Sequence, residues 1–105
     1  MVEKKCAYCG GEAKYKDSPR NEEEVKNLKS RLNRIIGQLN GVSSMLDENR
    51  YCGDILVQIS AAEKALEQVG YIILKDHMAT CVAKDIKEGK VDAIDETIDL
   101  MKKLK

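Results

Sequence analysis

Apolar residues repeat at alternating spacings of three and four through residues 25–46, and this pattern restricts the possible folds most strongly. It continues for three heptads, as in a helix that packs along a second helix in a coiled coil. Asp17, Ser18 or Asn21 is a possible N-cap of this helix. We expect the helix to end near residues 47–50. The apolar positions are Val25, Leu28, Leu32, Ile35, Leu39, Val42 and Leu46.

A second long helix is predicted from about Tyr51 or Cys52 to about Lys87, with Gly89 as its stop. The two helices, joined by a short turn, should form an antiparallel hairpin. Residues 90–105 are predicted to form a short third helix. Two paired helices bury only one apolar seam, and further apolar residues of the second helix need other partners. We therefore predict an all-α, three-helix protomer that dimerises into a four-helix bundle.

Two cysteines and the only histidine of the chain lie near the ends of the second helix. His77 and Cys81 are four residues apart, so an α-helix places them on one face. Cys52 lies at the other end, roughly 37 Å from His77 at a rise of ~1.5 Å per residue. The three side chains therefore cannot meet within one chain. A shared site would lie between antiparallel helices of two chains, with two sulfur ligands and one nitrogen.

The first 20 residues are polar and contain a second pair of cysteines, Cys6 and Cys9, followed by two glycines. This pair is half of a zinc-knuckle ligand set, because a structural zinc needs four ligands. Three interpretations stay open: a flexible tail with an exposed dithiol, a zinc ion shared with a neighbouring subunit, and a redox or persulfide role. We divide the chain into an N-terminal tail, residues 1–20, and a helical domain, residues 21–105.

The first helix carries a local basic surface, although the chain as a whole has 18 basic and 18 acidic residues. Residues 25–46 contain no acidic side chain. A solvated helix face is one explanation, and contact with DNA is the other. The residues that would contact DNA are Lys26, Lys29, Arg31, Asn33, Arg34 and Asn40.

The composition also restricts the class of protein. The apolar runs are shorter than the ~20 residues that span a membrane, and the N-terminus lacks the apolar region of a signal peptide. We therefore expect a soluble, cytoplasmic protein whose four cysteines are thiols or metal ligands rather than disulfides. We expect no enzymatic activity, because nothing in the sequence resembles a nucleophile–base pair.

Three stretches of the chain resemble the CsoR/RcnR/FrmR family of small helical bacterial repressors. RLNRIIGQLNGV at residues 31–42 resembles the family's first-helix signature. YCGDILVQISA at residues 51–61 resembles the start of the family's second helix, and HMATC at residues 77–81 resembles the end that carries its ligands. The resemblance covers about residues 25–104. It implies a repressor without a helix-turn-helix, assembled as a dimer of dimers, that releases operator DNA when an inducer occupies the cysteine site.

Within this family, Cys52, His77 and Cys81 match the ligand set of the copper(I) sensors. Cu(I) is a soft ion that prefers thiolates and accepts three ligands, whereas Zn(II) prefers four. The resemblance also places Tyr51 and Glu96 around the metal ligands, where they would orient the imidazole and connect the third helix to the metal. It implies that Cu(I) binding draws both side chains into a hydrogen-bonded network and moves the basic helix away from DNA.

Two other functions stay open. Persulfide sensors of the same family keep both cysteines and generally lack the histidine, so Cys52 and Cys81 would then form an intersubunit di- or polysulfide. The other possibility is a metal-binding protein without a specific DNA target, which would show no sequence preference and would lose DNA at moderate salt.

Overall fold

The computed structural model describes residues 15–16 and 19–104, which form helices connected by short turns. This part of the chain contains no β-strand, which confirms the prediction of an all-α protomer. In chain order the elements are α1 (Glu22–Asp47), α2 (Cys52–His77), a π-helical segment (Met78–Val82), α3 (Ala83–Lys87) and α4 (Asp92–Lys103). α2, the π-helical segment and α3 follow one another without a break and form one rod.

Capping residues explain where the long helices begin and end. The side chain of Asn21 accepts a 2.8 Å hydrogen bond from a backbone N–H in the first turn of α1. α1 ends in a Schellman motif at Asn49, whose φ of 56° lies in the left-handed region that asparagine tolerates. There the backbone N–H of Arg50 donates to the carbonyl of Met45 at 2.9 Å. Gly89, with a φ of 82°, ends α3 in the same way, as predicted.

The hairpin of α1 and α2 buries one residue in every seven along each helix. Leu28, Ile35 and Val69 form the centre of this core, and Ala65 and Ile72 pack against it. The row matches the heptad period of the sequence, because residues seven apart return to the same face of a helix after two turns. The buried rows are Leu28, Ile35 and Val42 on α1, and Ile55, Ala62 and Val69 on α2.

The second apolar row of α1 is not covered in the hairpin. Leu32, Leu39 and Leu46 are 37%, 51% and 64% exposed. The sequence pattern predicts one continuous seam, but the hairpin provides only one neighbouring helix and therefore covers only one side of it. The outward row lies in water in a single chain, which leaves a contiguous apolar surface of the kind that proteins bury against another subunit.

α4 packs back on the rod of α2, the π-helical segment and α3 through small residues and leaves its larger apolar residues outside. Ala93 and Thr97 are buried, and the Thr97 hydroxyl donates to the Ala93 carbonyl at 2.8 Å. Ile94 and Ile98 remain 47% and 46% exposed. Beyond α4, Leu104 lies so close to α2 that a Cβ on Gly70 would come within 2.7 Å of it. No helix in the described ranges is long and apolar enough to cross a membrane.

Candidate metal site and DNA-binding surface

The three predicted metal ligands lie at or next to the two ends of α2. Cys52 is the first residue of α2 and is exposed, whereas His77 is the last residue of α2 and is partly buried. α2 counts 26 residues from Cys52 to His77, which places these two residues roughly 37 Å apart at a rise of ~1.5 Å per residue. In the described residues of a single chain, no group of three or more His, Cys, Asp and Glu side chains is arranged to hold a metal ion.

A π-helical segment begins directly after His77 and contains Cys81. The backbone N–H of Ala83 reaches back five residues to the carbonyl of Met78, so this turn holds more residues than an α-helical turn. The extra residue rotates Cys81 relative to its position in a regular helix. Single π turns inside α-helices occur frequently at functional sites. The sequence does not predict this turn, because its residues have no pattern that distinguishes a π turn from an α turn.

The chain segment before α1 contacts the helix end that carries His77 and Cys81. The Lys16 ammonium donates to the Thr80 hydroxyl at 2.6 Å and to the Cys81 sulfur at 3.4 Å. It also lies 3.6 Å from a carboxylate oxygen of Asp76, which accepts a 3.0 Å hydrogen bond from Arg20. We call these five residues the arm cluster. It places a positive charge beside the sulfur of a candidate ligand.

Thr80 connects the arm cluster to the helix backbone. Its hydroxyl lies 2.8 Å from the Asp76 carbonyl and 3.6 Å from the Cys81 sulfur. A hydroxyl has one proton, so we assign its donation to the shorter contact, with the carbonyl. Its oxygen can then accept from Lys16. A side-chain bond to the carbonyl four residues earlier is common for threonine in helices, and here it lies at the start of the π segment.

A cavity of about 420 Å³ lies beside His77, between α2 and α4. Aliphatic side chains from both helices line most of it, Arg20 and Lys103 contribute positive charges, and His77 lines it as well. His77 therefore borders an open, mostly apolar groove.

The two predicted supporting residues lie in different places. Tyr51 precedes α2 at the Cys52 end, is 75% exposed, and places its ring against Gly53, where an added Cβ would contact it. Glu96 is an exposed residue of α4, next to the buried Thr97. Cys6 and Cys9 lie outside the described residues. The zinc or thiol site there, and the division between residues 1–20 and 21–105, stay predictions.

The six predicted DNA-contacting residues divide into two groups on α1. Four of them fall in a sector of about 60° at 3.6 residues per turn, opposite the buried row. All four are exposed, and we call them the outer stripe. Its members are Lys26, Lys29, Asn33 and Asn40.

The other two residues, Arg31 and Arg34, lie beside α2. They line a cavity of about 200 Å³ together with Gln38 and Gln68. The Nε of Arg31 and the Oε1 of Gln38 are buried and have no hydrogen-bond partner among the described residues. From the sequence, the six residues are expected to form one surface. Helical geometry separates them, because Arg31 falls closer to the buried row than to the outer stripe.

Comparison with solved structures shows that this fold is found in metal-responsive regulators. The copper-sensing repressor CsoR with Cu(I) from Geobacillus thermodenitrificans is similar with a TM-score of 0.76 and 49% identity, over 82% of this chain and 91% of that chain. The nickel-responsive transcriptional regulator InrS is similar with a TM-score of 0.68 and 33% identity, over 82% of this chain and 98% of that chain.

Sequence comparison gives the same result. The copper-sensing transcriptional repressor CsoR of Bacillus subtilis is 44% identical over 85 residues, which are 80% of this chain and 84% of that protein. The copper-sensing transcriptional repressor RicR of Mycobacterium tuberculosis is 39% identical over 67 residues, 64% of this chain and 70% of that protein. These matches confirm the resemblance seen in the sequence, on the CsoR side of the family, and a regulatory rather than an enzymatic role. Since the profile of the metal-sensitive transcriptional repressors also matches residues 24–103, the chain belongs to that family.

Proposed function

We propose that this protein is a cytoplasmic, copper(I)-responsive transcriptional repressor. It binds operator DNA in its metal-free form, as a dimer or a dimer of dimers, and releases the DNA when Cu(I) binds. Each metal site combines Cys52 of one subunit with His77 and Cys81 of another subunit.

The observation that carries this proposal is the position of the ligands at opposite ends of α2. His77 and Cys81 lie where α2 ends and Cys52 where it begins. When two copies of α2 lie side by side in opposite directions, the beginning of one helix is level with the end of the other. Such pairing brings Cys52 to His77 and Cys81 twice in each dimer, without any change in the fold of the subunit.

The exposed apolar rows support the same assembly. Leu32 and Leu39 on α1 and Leu56 and Leu66 on α2 are each more than a third exposed in the single chain. Burial of these side chains against a second hairpin would complete a four-helix bundle and would add the apolar area that the thin core of one hairpin lacks.

The donor set fits Cu(I) better than nickel, the other metal named for a similar protein. Two thiolates and one imidazole form a soft, three-coordinate set, which suits Cu(I), whereas nickel favours four or more ligands in a planar or octahedral arrangement. The relatives from B. subtilis and G. thermodenitrificans are described as copper-sensing. When bound, the ion would connect Cys52 of one subunit to the helix end of the other subunit.

The outer stripe of α1 provides the DNA-binding surface in this proposal. Its lysines and asparagines are exposed on the side of α1 that faces away from α2. Tyr51 and Glu96 would hydrogen-bond around the ligands and connect the position of α4 to the occupied site. The resulting shift of the bundle changes the spacing of the outer stripes of two subunits. By linkage, DNA must weaken Cu(I) binding by the same factor by which Cu(I) weakens DNA binding.

An anaerobic titration tests this function. Reduced protein is bound to fluorescent operator DNA and titrated with Cu(I), and DNA release is followed by anisotropy. We expect the wild type to release DNA and His77→Ala to require far more Cu(I), because one of three ligands is missing. Full copper-driven release by His77→Ala would refute the ligand set.

A parallel titration with a persulfide donor distinguishes the second inducer class. Release by the persulfide donor alone, with Cu(I) ineffective, would assign the protein to the persulfide sensors instead. Ni(II) in the same assay serves as the control for the other metal named among the structural neighbours.

A further inference from the structure

The arm cluster brings a residue distant in sequence to a candidate metal ligand. Lys16 precedes Cys81 by 65 residues, and its ammonium lies 3.4 Å from the sulfur. The same ammonium bonds to Thr80 at 2.6 Å and pairs with Asp76 at 3.6 Å. The Lys16 and Asp76 side chains are only 16% and 17% exposed. Several partners and partial burial hold this lysine at the sulfur more firmly than a lysine on an open surface.

The ammonium and a metal ion require the same feature of Cys81, the electron pairs of its sulfur. A hydrogen bond from Lys16 occupies one of them and directs a positive charge at the atom that a Cu(I) ion must approach. A Cu(I) ion that approaches this electron pair needs the position that the ammonium now occupies, 3.4 Å from the sulfur. The two therefore exclude each other on that side of the sulfur.

We propose that Lys16 is an internal competitor of the metal for Cys81. In the metal-free protein it holds the sulfur, and metal binding displaces it and frees the Lys16 end of the segment before α1 from the helix end. The inference rests on the proposed function, since it assumes that Cys81 is a metal ligand.

Displacement of Lys16 acts on the start of the DNA-binding helix. Lys16 is four residues before Arg20, and Arg20 directly precedes Asn21, the N-cap of α1. After displacement, the Arg20–Asp76 ion pair at 3.0 Å remains as a contact between this segment and α2. Occupancy of the metal site is thereby transmitted to the chain that leads into α1, in addition to any shift of the helical bundle.

The test measures Cu(I) affinity and hydrogen exchange at the start of α1 in the full-length protein. Lys16→Gln removes the charge, Lys16→Arg keeps it, and Lys14→Gln makes the same charge change two residues earlier. In anaerobic competition with a Cu(I) chelator, we expect Lys16→Gln to bind Cu(I) about threefold to tenfold more tightly, the size of one partly exposed charge-assisted hydrogen bond. Lys16→Arg and Lys14→Gln are expected to remain close to the wild type.

Hydrogen exchange provides the second measurement. The backbone amides of Glu23 and Val25, which donate to the side chain and the carbonyl of Asn21, should exchange faster in the wild type after Cu(I) binding, and should already be fast in metal-free Lys16→Gln. An unchanged or weaker Cu(I) affinity of Lys16→Gln, or wild-type exchange that does not respond to Cu(I), would overturn the competitor role while leaving the copper site intact. A wild type that binds no Cu(I) would overturn the proposed function and this inference together.

Discussion

Leu39→Ala is expected to weaken dimerisation much more than folding of the hairpin. Complete burial of a leucine side chain contributes about 2 kcal/mol. Leu39 is 51% exposed in the single chain, so covering the remainder in a dimer contributes about 1 kcal/mol. A twofold dimer contains the residue twice, and the variant therefore loses about 2 kcal/mol of dimerisation free energy. The dissociation constant should rise roughly 30-fold.

Sedimentation equilibrium from nanomolar to micromolar subunit concentration measures this constant directly. Lys26→Ala is the matched control, because Lys26 lies in the outer stripe about 140° around the same helix from Leu39 at ~100° per residue, and this variant should leave dimerisation within about twofold of the wild type. The reasoning fails if Leu39→Ala and the wild type dissociate with the same constant, or if the wild type is monomeric at micromolar concentration.

Three further predictions concern the core, a helix end and the DNA surface. Ile35→Ala, at a position only 5% exposed, should lower the free energy of unfolding by about 3 kcal/mol in chemical denaturation at matched protein concentration; a loss under 1 kcal/mol would mean that the hairpin core is not packed as described. Gly89→Ala places a Cβ at a φ of 82° and should cost about 1 kcal/mol in thermal unfolding, and an unchanged melting temperature would contradict the Schellman end. Lys29→Gln should reduce the slope of log DNA affinity against log salt by about one, for operator and unrelated DNA alike; an identical slope would remove Lys29 from the interface.

The helices could be predicted from the sequence because their signals are local. The heptad of α1 and the stop at Gly89 depend on residues within a few positions of one another, so spacing and residue type suffice. Residue type left three candidates for the N-cap of α1, and the structure selects Asn21. The separation of Cys52 from His77 follows from the same helix geometry. It requires only that α2 is continuous, which the structure confirms.

The features that could not be predicted depend on contacts between distant residues. The heptad pattern does not specify which apolar row the hairpin covers, and the structure covers the row of Leu28 while it leaves Leu39 outside. The contact of Lys16 with Cys81 joins residues 65 positions apart, and no periodicity connects them. Arg31 is different, because its angular position beside the buried row could have been calculated from helix geometry alone.

Mixed dimers test the intersubunit metal site most directly. One subunit carries Cys52→Ala and the other carries His77→Ala together with Cys81→Ala, and two affinity tags isolate the dimer that contains one of each. In this dimer the intact Cys52 of one subunit meets the intact His77 and Cys81 of the other. We expect one tightly bound Cu(I) per mixed dimer, two per wild-type dimer, and none for either variant alone. A mixed dimer that binds no Cu(I) tightly, beside a wild type that binds two, would contradict the site between subunits.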